Sequence, residues 1–192
     1  MAISADMDNK PPPTATIEAA HRRHLGALPF DDTRDFEDAD RGGFIAAQQP
    51  CVVKAADGRV VWDNDVYAFL GGDAPTPCTP SLWRQSTLAA KQGLYEVVEG
   101  IYQVRGFDLS NITFVEGDTG GVIVIDPLVS TEVAAAALAL YRQHRGGTRT
   151  VSAVIYTHSH VDHFGGVLGV TTQADVDAGR VAVLAPPEGF VE

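Results

Sequence analysis

Thr157-His158-Ser159-His160-Val161-Asp162-His163 places three imidazoles and one carboxylate within six positions, directly after the apolar run 151–156. An apolar run rich in Val and Ile reads as a buried strand. α/β proteins carry their chemistry at such strand ends. Imidazole and carboxylate are borderline donors of the kind that zinc takes. The alternation lets His158 and His160 converge on one metal, while Asp162 and His163 point elsewhere and serve a second. Gly165 and Gly166 follow, and small residues there let the next segment pack closely under the loop. Solvated histidines in a polar turn are the alternative, but they do not account for His-x-His-x-Asp-His set between a strand and Gly-Gly.

The chain has 192 residues, of which 45% are hydrophobic, enough for one domain with a real core. Its formal charge is −11. An acidic surface repels phosphate backbones, which argues against nucleic acid as a partner. An anionic small substrate stays open, because bound metal ions dominate the local field. Cys51 and Cys78 form no Cys-x-x-Cys pattern and read as free thiols, with a disulfide as the alternative. The N-terminal stretch 1–8 has neither a basic nor an apolar region of a secretory signal. No apolar stretch approaches the ~18–20 residues of a membrane span. The cytoplasm is the default location on these grounds.

Residues 1–15 read as a disordered tail with Pro11-Pro12-Pro13 as a stiff spacer. Residues 17–25 predict a short helix. On it, His21 and His24 stand three apart: either a solvated basic turn or a metal pair. The segment 31–41 is charge-rich and exposed. Residues 51–54 and 59–62 flank Asp57-Gly58 as a hairpin. Asp65 is expected to cap a helix through Leu70 that ends at Gly71-Gly72, and Ser81 to cap another over 82–92. The runs 94–98 and 101–104 flank Glu99-Gly100 as a hairpin. The runs 111–115 and 121–125 flank the turn-rich 116–120. An alanine-rich helix over 131–144 starts after Ser130 and stops at Gly146-Gly147. Residues 164–170 open a further helix, and 180–184 form a last strand before Pro186-Pro187. Asp108 and Asn111 sit on a loop within reach of the site, with ordinary turn chemistry as their expected use.

The stretches 94–108 and 110–120, with Ile125-Asp126-Pro127 after them, resemble the start of the catalytic domain of bacterial alkyl sulfatases. The 158–163 loop resembles the metal motif of their superfamily, the metallo-β-lactamase fold. Residues 43–70 look like that family's helical N-terminal extension, and 174–176 and 185–190 fit it as well. The resemblance spans roughly residues 20–190. It implies an α+β, metallo-β-lactamase-like αββα sandwich of which about the first half is present. The tail over 1–15 and the extension over 16–93 would precede the first half of the catalytic domain, 94–192. The family consists of dinuclear zinc hydrolases that cleave alkyl sulfate esters, such as dodecyl sulfate, to alcohol and sulfate. The resemblance therefore implies two Zn2+ ions, His158 and His160 on the first, Asp162 and His163 on the second, and Asp162 as a catalytic residue. Zinc lowers the pKa of bound water to ~7, which makes a nucleophile at neutral pH. By resemblance, Asp126 is a buried carboxylate that organises the metal loop; a strand-terminating Asp-Pro turn is the other reading. A homodimer is implied for the full-length protein, with an alkyl sulfate as its small-molecule partner.

The family completes its metals with two downstream glutamates and a further histidine. After His163 this chain has no histidine, and its later acids are Asp175, Asp177, Glu188 and Glu192. Zinc sites take three or four protein ligands, and the loop offers two per metal. The chain therefore reads as the N-terminal piece of a longer alkyl sulfatase, inactive by itself. Another metallo-β-lactamase-fold hydrolase, such as a thioesterase or lactonase, is the second reading. A non-catalytic fragment that binds metal weakly is the third. The strands 121–125 and 151–156 are apolar almost throughout and so expect cover on both faces. The helix over 131–144 and the metal-loop helix can cover only one, which predicts a bare apolar face.

Overall fold

The computed structural model describes residues 12–41, 43–75, 78–145, 147 and 149–187. Residues 1–11 of the expected tail, Gly146 of the expected helix stop and Glu188–Glu192 lie outside the described residues. The chain opens with helix α1 (Ala15–Ala27), capped by the Thr14 hydroxyl, which accepts from Ile17 N–H at 3.4 Å. The charge-rich stretch that follows contains a second helix, α2 (Arg34–Arg41), not foreseen from its composition. It is tied to the body by ion pairs, Asp35 to Arg84 at 2.7 Å and Asp40 to Lys91 at 2.5 Å.

Strand β1 (Phe44–Ala46) comes next, then the hairpin β2 (Val52–Lys54) and β3 (Val60–Asp63) about Asp57-Gly58. Asp65 does not cap the turn that it begins. Its carboxylate accepts instead from the backbone N–H of Cys51, on the preceding hairpin, at 3.1 Å. The segment Asp65–Gly71 winds as a 3-10 helix, ended at Gly72. Helix α3 (Pro80–Ala89) starts before Ser81, with Thr79 at its N-cap position and Pro80 in the first turn, where proline's missing N–H costs nothing.

Four antiparallel strands follow: β4 (Gly93–Val98), β5 (Ile101–Arg105), β6 (Ile112–Glu116) and β7 (Gly121–Ile125). Helix α4 (Thr131–Arg145) starts on Ser130, whose hydroxyl accepts from Val133 N–H at 3.3 Å. It crosses back to β8 (Thr150–Ile155), which lies parallel to β7. After the metal loop come a short helix α5 (Gln173–Asp177), and β9 (Ala182–Leu184) parallel to β8. Among the described residues, seven strands form one sheet in the order β1-β4-β5-β6-β7-β8-β9, and β2-β3 form a separate pair. Strand β1 comes close enough to β4 that a Cβ at Gly93 (φ +141°) would lie 2.4 Å from the Ala46 carbonyl, which requires glycine.

Alternation sorts the sheet into two faces. Tyr102, Val104, Ile112, Phe114, Val122, Val124, Val151 and Val154 are buried. They share a core with Val133, Ala134, Ala137, Leu138 and Tyr141 of α4, and with Cys51 and Val53 of the hairpin. A bulge lets Val122 pair with Val151 and Ile123 with Ala153. The extra residue, Ser152, keeps both valines of β8 in the core. Ile101, Val115, Ile123, Ile125 and Ile155 point to the opposite face, where among the described residues they are half-buried and less covered than the core face. No described helix is long and apolar enough to cross a membrane.

Candidate metal centre

Parallel pairing brings the C-terminal ends of β7 and β8 to one edge, where open α/β sheets bind ligands. The ladder runs one step past β7, with Asp126 N–H donating to Ile155 O at 3.0 Å. Asp126 therefore sits beside Thr157, the first residue of the loop. The backbone at Asp126 (φ +55°) and Leu128 (φ +62°) is left-handed. Such conformations cost about 1–3 kcal/mol and persist where the surroundings determine them. Here Leu128 is fully buried, its N–H donates to Asp126 O at 2.9 Å, and its carbonyl accepts from Gly166 N–H at 2.9 Å.

The Asp126 side chain faces the loop and the residue is only 8% exposed. Oδ1 accepts from Thr157 N–H at 2.8 Å; Oδ2 accepts from the Thr157 hydroxyl at 2.7 Å and from His163 Nδ1–H at 2.8 Å. Thr157 Oγ1 also lies 2.9 Å from His158 Nδ1. Its one proton is committed to Asp126, so this oxygen accepts and His158 Nδ1 donates. One buried carboxylate thus keys two histidines through their Nδ1 atoms, and Nε2 of His163 faces Asp162 instead.

The rings of His158 and His163 lie 4.0 Å apart by centroid, and those of His158 and His160 4.7 Å. Asp162 Oδ2 lies 3.4 Å from His163 Nε2. His160 is exposed; His158, Asp162 and His163 are half-buried. The four side chains share one loop and are crowded together. Among the described residues, however, no three His, Cys, Asp or Glu side chains stand as a set able to hold a metal ion. In donor type, and in the orientation that Asp126 imposes on His163, they fit a borderline cation such as zinc. They fit it as an open, partial set.

The segment after the ligands is not the helix expected over 164–170. A single 3-10 turn over Val161–His163 carries two of the donors, and the segment after them forms only one more, Val167–Gly169. The reason is the space beneath it. A Cβ at Gly166 would lie 2.1 Å from Pro127 O and 2.6 Å from Ser130 O, and one at Gly165 would lie 2.4 Å from Val129 O. The loop is pressed onto the 127–131 backbone, where a full helix has no room.

Of two further residues near the site, Ser110 is not legible from the sequence as its part, and Asp108 is expected within reach of it but with ordinary turn chemistry. Ser110, 8% exposed, donates its hydroxyl to the backbone carbonyl of Asp162. Asp108 makes the expected local turn, with Oδ1 accepting from Ser110 N–H at 3.0 Å. Its Oδ2 also reaches Val129 N–H at 2.9 Å. Burial pushes the Asp108 carboxyl above the usual carboxylate range, against these two N–H donors, which lower it. Asn111 is exposed at the entry to β6. His21 and His24 lie on α1, and His24 is exposed.

Residues 105–189 match the model of the metallo-β-lactamase superfamily. The linear primary-alkylsulfatase of Pseudomonas sp. is 51% identical over 183 residues, 94% of this chain. The chain is a homologue of the alkylsulfatases. It spans 27% of that relative's length. A second alkylsulfatase, the (R)-specific secondary enzyme of Pseudomonas sp., is 45% identical over 99% of this chain and 28% of its own. The solved structure of the stereoselective inverting sec-alkylsulfatase Pisa1, also from Pseudomonas sp., superposes with a TM-score of 0.86 at 46% identity, over 94% of this chain and 28% of that one. The α+β architecture matches that of the metallo-β-lactamase-fold sulfatase over 28% of the latter's length.

Proposed function

We propose that this chain is part of a zinc-dependent sulfuric ester hydrolase that cleaves alkyl sulfates, such as dodecyl sulfate, to alcohol and sulfate. The observation that carries the reading is the keyed His158–His163 loop on a chain 51% identical to a linear primary-alkylsulfatase. In this reading the protein holds two zinc ions, His158 and His160 serving the first, Asp162 and His163 the second. Bound zinc would supply a water acidified to ~7 and positive charge against the sulfate. The chain's own residues prepare that site. Asp126 holds the Nδ1 proton of His163 directly and that of His158 through Thr157, so that on both rings Nε2 carries the lone pair that a cation needs. Asp162 adds the negative charge and, beside His163, is the candidate catalytic carboxylate. Residues 16–93 serve as an extension to the catalytic part, 94–192.

The 192 residues by themselves should turn over alkyl sulfate negligibly, because among the described residues no three donors stand together to hold a cation. Misplaced electrostatic groups are expensive: one donor to a developing charge is worth ~10²–10³ in rate. The test is a chimera in which this chain replaces the matching region of the Pseudomonas linear primary-alkylsulfatase, assayed for sulfate release from dodecyl sulfate with added zinc. The chimera should be active, its His160→Ala form inactive, and the isolated chain inactive. An inactive chimera that is folded would refute the substrate class. Full activity after His160→Ala would refute the metal assignment.

A further inference from the structure

We propose that Ser110, seated by Asp108, is a positioning residue that sets where Asp162 stands in the metal loop. The inference rests on the metal reading above. Ser110 lies in the β5–β6 connection, 52 positions before the residue that it holds. Its hydroxyl donates to the Asp162 carbonyl, and the Ser110 side chain is shielded from water. A buried hydroxyl spent on one backbone carbonyl of an irregular loop fixes that peptide in place, because losing it leaves the carbonyl unsatisfied.

Asp108 fixes Ser110 in turn. One carboxylate oxygen takes the Ser110 N–H, and the other takes the Val129 N–H. Val129 lies in the backbone segment against which Gly165 and Gly166 are pressed. The loop is therefore gripped from both strand ends. Asp126, at the end of β7, orients the two imidazoles. Asp108 and Ser110, from the β5–β6 connection, orient the peptide of the one loop carboxylate. That carboxylate faces His163 Nε2 at 3.4 Å. A shift of the Asp162 peptide moves its carboxylate away from the imidazole while leaving the Asp126 bonds intact. Ser110 thereby acts on a bound cation through Asp162 alone and touches no cation itself.

The test uses Co2+ as the probe, followed by calorimetry and by its visible absorption, on the folded chimera, in which the alkylsulfatase remainder completes the donor set. Ser110→Thr and Ser110→Val have the same shape and differ in the hydroxyl. The Thr variant should bind Co2+ close to wild type and the Val variant roughly tenfold more weakly, at the lower end of the 10–100-fold typical of groups that orient ligands. In an Asp162→Ala background the difference between Thr and Val should vanish. Equal affinity of the two variants, or a tenfold difference that survives Asp162→Ala, would overturn the proposal. Absence of Co2+ binding by the folded chimera with Ser110 intact would instead sink the metal reading on which it rests.

Discussion

Asp126→Asn isolates the keying of the two histidines without changing the size of the side chain. Asparagine also tolerates the left-handed backbone at φ +55°. The carboxylate serves three donors with two oxygens, and the amide has only one. If the amide oxygen takes the Oδ2 place, the NH2 opposes Thr157 N–H and leaves it orphaned, a cost of about 1–3 kcal/mol. If it takes the Oδ1 place, Thr157 N–H stays satisfied and the NH2 faces Thr157 Oγ1 and His163 Nδ1. Both can respond: the hydroxyl turns its proton toward His158 Nδ1, and His163 moves its proton to Nε2. Two charge-assisted hydrogen bonds become neutral ones, a loss of about 1 kcal/mol each, so destabilisation of about 2–3 kcal/mol follows in either orientation. At about 2–4 °C per kcal/mol for a chain of this size, the melting temperature should fall by about 5–10 °C. The second orientation leaves no orphaned donor and should prevail. In it, His158 and His163 both carry the proton on Nε2, and both lose the lone pair that a cation needs. Thermal melting and ¹⁵N chemical shifts of the imidazoles, at a pH where they are neutral, read the two effects. An unchanged melting temperature with Nδ1–H retained on both rings would refute the argument.

Gly166→Ala should destabilise by about 3 kcal/mol or more, since its Cβ meets two backbone carbonyls that cannot retreat. Gly26→Ala, in open space near the end of α1, is the control; a similar shift of the urea midpoint in both variants would refute the packing reading. Burial pushes the Cys51 thiol up to about 11, with Asp65 and Asp63 adding to the effect, whereas Cys78 is half-buried. At pH 8 a disulfide-exchange reagent should titrate Cys78 and spare Cys51 until the chain is denatured. The thiol's folded pKa lies above its ordinary value of 9.0, so the unfolded chain sheds this proton first. Stability should then fall as pH rises from about 9 through about 11, and that fall should be absent in Cys51→Ala.

Much of the fold is decided within short stretches of the sequence. Turn residues between alternating runs suffice for the hairpins β2-β3 and β4-β5, and for β6-β7 about its turn-rich loop, because pairing of neighbours costs little loop closure. The alanine-rich α4 is marked by Ser130 at its start. The four side chains of the metal loop are read directly, since strand, spacing and Gly-Gly lie within a few residues of one another. Tertiary structure decides the rest, wherever a distant group competes with a local preference. Asp65 leaves its own turn for the Cys51 N–H, and Asp108 adds Val129 to its local bond. Residues 164–170 carry three glycines in seven positions, a weak helix former at best, and the 127–131 backbone beneath Gly165 and Gly166 allows only single turns. Strand β1 exists because the edge of β4 was unpaired, and Gly93 lets it approach. Within the site, the sequence determines which donors are present. Which nitrogen of His158 and His163 carries the proton, and where the Asp162 peptide stands, depend on Asp126 and Ser110. Their hydrogen bonds reach across 31 to 52 positions and form only when parallel β7 and β8 end at one edge.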